Sequence, residues 1–237
     1  MATALRFVVG LLCVAAAASL YALPAAGDPP ARVSSYYLGR PDPRACPSPM
    51  CGGVWVRLLN KDATPCAGAA RLGRECYVAE LDLSALGITN HGALAALVGE
   101  GRAIARGEIV TGRVEGFPEL ATLLVSEVWP ASSSAREPAG PFWLLRDNRQ
   151  RCVTSPCFST HAARLNSSSH LNVSDVRFTG GKASERRCAS VHLSGTGVIA
   201  AGRVVRVANA GPAGAGRRLV ASQFYLRKSP RPPSRCR

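Results

Sequence analysis

One spacing recurs along this chain and limits the architectures open to it. Laying Tyr36-Tyr37-Leu38-Gly39-Arg40 over Phe142-Trp143-Leu144-Leu145-Arg146, an offset of 106, also superposes Cys46 on Cys152, Cys51 on Cys157, Leu59 on Leu165 and Asn60 on Asn166. Further on the offset is 95 to 96. Ile104-Ala-Arg-Gly107-Glu-Ile-Val110 falls on Ile199-Ala-Ala-Gly202-Arg-Val-Val205, and Ser126-Glu-Val-Trp129 on Ser222-Gln-Phe-Tyr225. A net deletion in the second copy accounts for the change. Three separated blocks that agree in order, one of them carrying a Cys-x4-Cys pair, read as an internal duplication. Two copies are too few for a solenoid. The expected arrangement is two similar units side by side, or one pseudo-symmetric domain whose halves share a core.

Each copy opens with an aromatic strand (36 to 40; 142 to 146), followed by a polar turn, the Cys-x4-Cys loop and an apolar run such as Gly53-Val-Trp-Val-Arg-Leu-Leu59. These are strand signals. In the first copy Cys76-Tyr-Val-Ala-Glu-Leu-Asp-Leu83 alternates as one half-buried strand. Asn90 then precedes Leu94, Leu97 and Val98 at helical spacing, with Gly99 and Gly101 as stops. No such helix is expected in the second copy, where Ala189-Ser-Val-His-Leu193 reads as strand. Two strands close each copy, around 104 to 114 and 122 to 129, then 198 to 208 and 218 to 227. The predicted fold is therefore mainly β (α+β): a tandem of two diverged β-rich repeats, disulfide-stabilised, with one short helix in the first copy.

Residues 1 to 27 pair Arg6 with an apolar stretch from Phe7 to Leu23 and end in small residues after Pro24, the layout of a cleavable secretory signal. An uncleaved anchor and lipid attachment at Cys13 are the alternatives. After the signal the first repeat spans 28 to 131, a linker 132 to 141, the second repeat 142 to 227 and a basic, proline-rich tail 228 to 237. No later stretch is long and apolar enough to span a membrane.

Cleavage removes Cys13 from the nine cysteines and leaves Cys46, Cys51, Cys66, Cys76, Cys152, Cys157, Cys188 and Cys236. An even set in an oxidising compartment implies disulfides, and eight thiols admit on the order of a hundred pairings. Units this small gain from cross-links worth ~2 to 4 kcal/mol each. Loss of Arg6 lowers the formal charge of +14 by one, which still favours anionic surfaces or polymers. Yet 26 of the 29 basic residues are arginines scattered without interleaved aromatics, so no specific nucleic-acid partner is expected.

No motif for catalysis stands out. The first four of those cysteines are spaced too widely for a zinc knuckle, and the second copy does not preserve the set. Gly195-Thr-Gly197-Val-Ile-Ala200 has the G-x-G-x-x-A form but leads into a β-branched run rather than a helix. Cys157 and His161 lie close together, but a cysteine present in both copies reads as a disulfide half rather than a free nucleophile. None of His91, His161, His170 and His192 falls in a metal-ligand pattern. Asn166 and Asn172 open glycosylation sequons, while the repeated Asn60 and Asn166 read as turn residues that tolerate left-handed backbone. Trp55, Trp129, Trp143, Tyr36, Tyr37, Phe224 and Tyr225 read as core. No catalytic residue, cofactor or metal ligand is assigned.

The pattern Cys46-Pro-Ser-Pro-Met-Cys51-Gly-Gly, Leu59-Asn60, Cys76-Tyr-Val-Ala, Leu83-Ser-Ala-Leu-Gly87, Leu124-Val-Ser-Glu-Val-Trp129 and Cys152-Val-Thr-Ser-Pro-Cys157-Phe158 resembles a family of exported, cysteine-containing bacterial proteins whose domain has no known function. The resemblance covers about 36 to 227. It implies a periplasmic or secreted protein and carries over no functional residue. The expected role is a non-catalytic binding module for a protein or an anionic envelope polymer. The alternatives are a secreted hydrolase whose site assembles only in the fold, or an inhibitor of secreted hydrolases.

Overall fold

The computed structural model describes residues 34 to 66, 72 to 133, 138 to 230 and 236. The expected secretory signal lies outside them. The first half begins with β1 (Ser35–Pro41) and β2 (Val54–Leu58), continues through the small hairpin of β3 (Thr64–Pro65) and β4 (Leu72–Gly73), and reaches β5 (Cys76–Val78) and β6 (Glu80–Asp82). A single 3-10 turn, α1 (His91–Gly99), β7 (Ala103–Thr111) and β8 (Ala121–Pro130) complete it. The second half holds β9 (Phe142–Asp147), β10 (Thr160–Arg164), β11 (His170–Val173), β12 (Asp175–Phe178), α2 (Ala183–Leu193), β13 (Val198–Val207) and β14 (Gly216–Leu226).

The strands form two six-stranded sheets, ordered β5-β2-β1-β7-β8-β6 and β11-β10-β9-β13-β14-β12. In each sheet the last strand pairs parallel with its neighbour, β6 with β8 and β12 with β14. The long hairpins β7-β8 and β13-β14 each shift register once, at Arg106/Gly107 and Ala201/Gly202. Glycine is required there because a Cβ would meet the carbonyl oxygen of Leu124 or Val220 on the neighbouring strand.

Alternation along the strands gives each sheet two apolar faces. One face of the first sheet packs Tyr37, Val56, Val78, Leu123 and Val125 against Leu94 and Val98 of α1. The second sheet places Leu145, Val173, Val198 and Leu219 around Ala189 of α2. A third cluster belongs to both sheets: Leu59, Ile104 and Trp129 meet Phe142, Leu165, Ile199, Ala201 and Tyr225. The halves therefore share a core in addition to the two they hold separately. Full burial of a large apolar side chain contributes about 1.5 to 3 kcal/mol, so this seam is a major part of the fold's stability.

Polar groups stitch the same seam. Asn60 Nδ2 donates to the carbonyls of Phe142 (2.8 Å) and Leu165 (3.1 Å), and its Oδ1 accepts from Phe142 N (2.9 Å). Asn166 does the same in reverse, donating to Tyr36 O (2.8 Å) and Leu59 O (3.0 Å) and accepting from Tyr36 N (2.9 Å). Both asparagines hold left-handed backbone, with φ of 59° and 54°. Where β8 and β14 run past each other, Ser132 N donates to Phe224 O (2.8 Å) and Lys228 N to Val128 O (2.9 Å).

Two local expectations are corrected. The second half does contain a helix, α2, and Ala189-Ser-Val-His-Leu193 is its last part rather than a strand. Its buried residues are Cys188, Ala189 and His192, so its inner face is small or polar and shows no apolar stripe in the sequence. The run from Cys76 to Leu83 is not one strand. It breaks at Ala79, so that β5 pairs antiparallel with β2 while β6 crosses to pair parallel with β8. Of the expected linker, Ser132 is buried, and Ser133 N and Oγ donate to Glu185 at 3.0 and 2.6 Å.

Candidate functional site

The eight cysteines lie as four pairs at disulfide distance: Cys46–Cys51, Cys66–Cys76, Cys152–Cys157 and Cys188–Cys236, with Cα separations of 5.3, 5.4, 5.5 and 5.2 Å. The first three close short loops. The fourth holds the tail to α2, across 48 residues of sequence.

The loop between β1 and β2 is braced as well as cross-linked. Asp42 accepts from Arg44 N and Nε and from Trp55 Nε1, the last at 3.1 Å. The Arg44 guanidinium lies over the rings of Tyr77 (4.4 Å) and Trp55 (5.2 Å) and donates to Met50 O at 2.9 Å. Tyr77 OH donates to Pro49 O (2.8 Å) and accepts from Gly53 N (3.1 Å). The Arg44 guanidinium, with the backbone N–H of Arg44 and the indole of Trp55, holds the Asp42 carboxyl well below the usual carboxylate range. A charged group stacked on two aromatic faces and tied to a carbonyl leaves the loop little freedom.

The matching loop between β9 and β10 is held by different residues. Asp147 accepts from Arg149 N (2.7 Å) and from Arg151 Nη1 and Nη2 (3.0 and 2.7 Å). Arg151 chiefly, then the Arg149 amide, lowers its carboxyl to about 2. Asn148 Nδ2 donates to Phe158 O at 2.8 Å.

Beside each loop runs an open groove bounded by the helix of that half. The first, about 480 Å³, is walled by Asp42, Gly53, Val54, Glu80, Ala96 and Gly99. The second, about 410 Å³, is walled by Asp147, Arg151, Cys152, Ser159, Ser190 and Ser194 among others. Neither wall includes a histidine, so neither of these two grooves joins imidazole, carboxylate and nucleophile. A third cleft, about 740 Å³, is lined by Arg57, Lys61, Asp62, Arg74 and Glu75.

The three most exposed large apolar side chains among the described residues are Met50 (56 %), Leu72 (71 %) and Val153 (104 %). Each lies within one of the short disulfide-closed loops. Sequence reading left these residues unassigned, because an apolar residue in a turn carries no mark of its exposure.

The histidines fall in three places, with His91 and His192 each apart from the neighbouring pair His161 and His170. His91 opens α1 with its Nε2 buried and unpartnered, and His192 is buried on α2 with Nδ1 2.7 Å from Thr196 Oγ1. Burial pushes the His192 imidazole pKa down. The ligand atoms of Cys188, His192 and Cys236 lie within 4.8 Å of one another, but both sulfurs belong to the disulfide. His161 and His170 sit across the β10-β11 hairpin, and Cys157 is paired with Cys152. The glycines of Gly195-Thr-Gly197 follow the C-terminal end of α2, where carbonyls rather than N–H groups are free, so they form no phosphate cradle. Trp129, Trp143, Tyr37, Phe224 and Tyr225 are buried, whereas Trp55 and Tyr36 are half-buried under arginines.

Fold and loops together define a mainly β, disulfide-bonded protein that presents pinned loops. The model of the domain of unknown function DUF6748 matches residues 35 to 231, and the chain belongs to that family. No curated protein and no solved structure matches it. Among the described residues no helix is long and apolar enough to cross a membrane.

Proposed function

We propose that this is an exported, non-catalytic binding module, acting in the periplasm or outside the cell, that engages a protein partner through its disulfide-closed loops. On this proposal residues 1 to 27 are a cleaved signal, and 28 to 131 and 142 to 227 are diverged copies of one unit. The matching strand orders and the reciprocal Asn60 and Asn166 bonds support duplication.

The observation that carries the proposal is that Met50, Leu72 and Val153 stand in solvent on loops closed by cross-links. Exposing a large side chain costs hydration free energy, and fixing the loop beforehand reduces the ordering cost of association. An apolar anchor on a rigid loop suits a partner's pocket better than it suits a polymer of sugars and phosphates. The same rigidity favours, as a second reading, an inhibitor of a secreted hydrolase, with the Cys46–Cys51 loop entering the enzyme's cleft.

Photo-crosslinking residues placed singly at Met50, Leu72, Val153 and, as a control, at exposed Glu119 test this in the native compartment. Adducts of one discrete mass at the three loop positions and none at Glu119 are expected. Equal labelling at all four positions would remove the loops as the contact surface.

A further inference from the structure

We propose that His161 and His170 form a binding site for a divalent transition-metal ion that favours imidazole, Zn²⁺ in the first place. In the β10-β11 ladder His161 stands opposite Asn172, and Ala163 opposite His170. The two histidines are thus diagonal neighbours on one face of the hairpin, within side-chain reach. Their ring centroids lie 5.2 Å apart with planes tilted by 43°. An imidazole nitrogen ~2.0 to 2.1 Å from zinc sets its ring centre about 3.2 Å from the ion, so two rings at the tetrahedral angle stand about 5 Å apart. The 5.2 Å between the two centroids matches that spacing.

The tautomers point the same way. His170 Nδ1 lies 3.2 Å from the backbone carbonyl oxygen of Ser168. A carbonyl can only accept, so Nδ1 carries the hydrogen and, in the neutral ring, Nε2 keeps the lone pair. His161 Nδ1 lies 3.2 Å from the amide oxygen of Asn172, with the same consequence. A ring N–H held by an oxygen acceptor, leaving the other nitrogen basic, is how metal-bound histidines are oriented and kept in one tautomer. Here it is in place on both rings at once.

The site is open to solvent on a fixed ladder. His170 and Asn172 are exposed and His161 is half-buried, so an ion reaches the rings from solvent. β10 is clamped between β9 and β11, which fixes the ladder that spaces the rings. Imidazoles remain available in an oxidising compartment, whereas the sulfurs beside His192 are consumed by their disulfide. Two protein ligands leave positions on the ion for water or for a donor from a partner.

Zn²⁺ titrated calorimetrically into the full chain tests the proposal, together with ¹⁵N spectra of the imidazoles. One ion binds per chain, and both Nε2 resonances shift while both Nδ1 stay protonated. His161→Ala and His170→Ala each weaken binding at least ~10-fold. Asn172→Ala weakens it roughly 10-fold, and Asn172→Asp restores it, because a carboxylate also accepts from Nδ1–H. That rescue separates a positioning role from a structural one. Unchanged Zn²⁺ binding in the His161→Ala/His170→Ala double variant would overturn the proposal, as would no uptake by the parent chain at about millimolar Zn²⁺.

Discussion

Asn60 and Asn166 show how one residue type can meet two demands. Each stands at φ near +55 to +60°, where asparagine is tolerated better than most residues, and each uses its amide to satisfy three backbone groups at the seam. The sequence pointed to the left-handed turn, because recurrence at one spacing beside a strand end is a backbone signal. The cross-sheet bonds were not legible, since they depend on which backbone faces the turn in the folded chain. Asn60→Gly keeps the backbone easy but leaves Phe142 N and Leu165 O without their partner, while Phe142 O still accepts from Leu165 N. At about 1 to 3 kcal/mol for a buried group left unsatisfied, two half-buried groups lower stability by roughly 2 to 4 kcal/mol. Asn166→Gly costs a similar amount. Urea unfolding of the two variants measures both, and a loss below about 1 kcal/mol in each would mean that water replaces the amides.

Among the elements, those with strong local patterns were legible and those made by small residues were not. α1 announces itself through Asn90, whose side chain accepts from Ala93 N, and through Leu94 and Val98, which are buried where the spacing placed them. α2 has no comparable stripe. It is held by Glu185, whose carboxylate accepts from Lys182 N and Ser133, and by the disulfide from Cys188 to Cys236. Burial raises the Glu185 pKa, but those bonds outweigh it and the net shift is downward. The cross-links differ in reach, and that difference is measurable. Cys46–Cys51 closes a separation of 5 residues and Cys188–Cys236 one of 48. In the chain-entropy model these constrain the unfolded chain by about 2 and about 4 kcal/mol. Replacing both cysteines of a pair by serine is therefore expected to lower stability more for the tail-to-helix bridge than for the loop bridge. Equal losses in urea unfolding would show that strain or residual structure, rather than loop closure, sets their worth.

For the whole molecule, the seam sets the limits on how the halves can exist apart. Among the described residues no disulfide joins them, since Cys46–Cys51 and Cys66–Cys76 lie in the first half and the other two in the second. Each half has its own helix-covered core, yet a chain of residues 28 to 133 alone would expose Leu59, Ile104 and Trp129. Its polar groups would lose partners too, because Asn60 reaches Phe142 and Leu165, and Val128 O accepts from Lys228 N. On the duplication proposed above, a second copy of the same fragment could supply them. Tyr36 occupies the place of Phe142, Leu59 that of Leu165, and Ser132 that of Lys228, so the seam can close on itself about a two-fold axis. The fragment 28 to 133, oxidised, is therefore expected to sediment as a homodimer whose dissociation and unfolding are coupled. Trp129→Ala, which removes a side chain left 1 % exposed at the seam, is expected to destabilise that dimer by about 3 to 5 kcal/mol. A fragment that sediments as a folded monomer, with the same stability in both forms, would show that the seam joins two independent units.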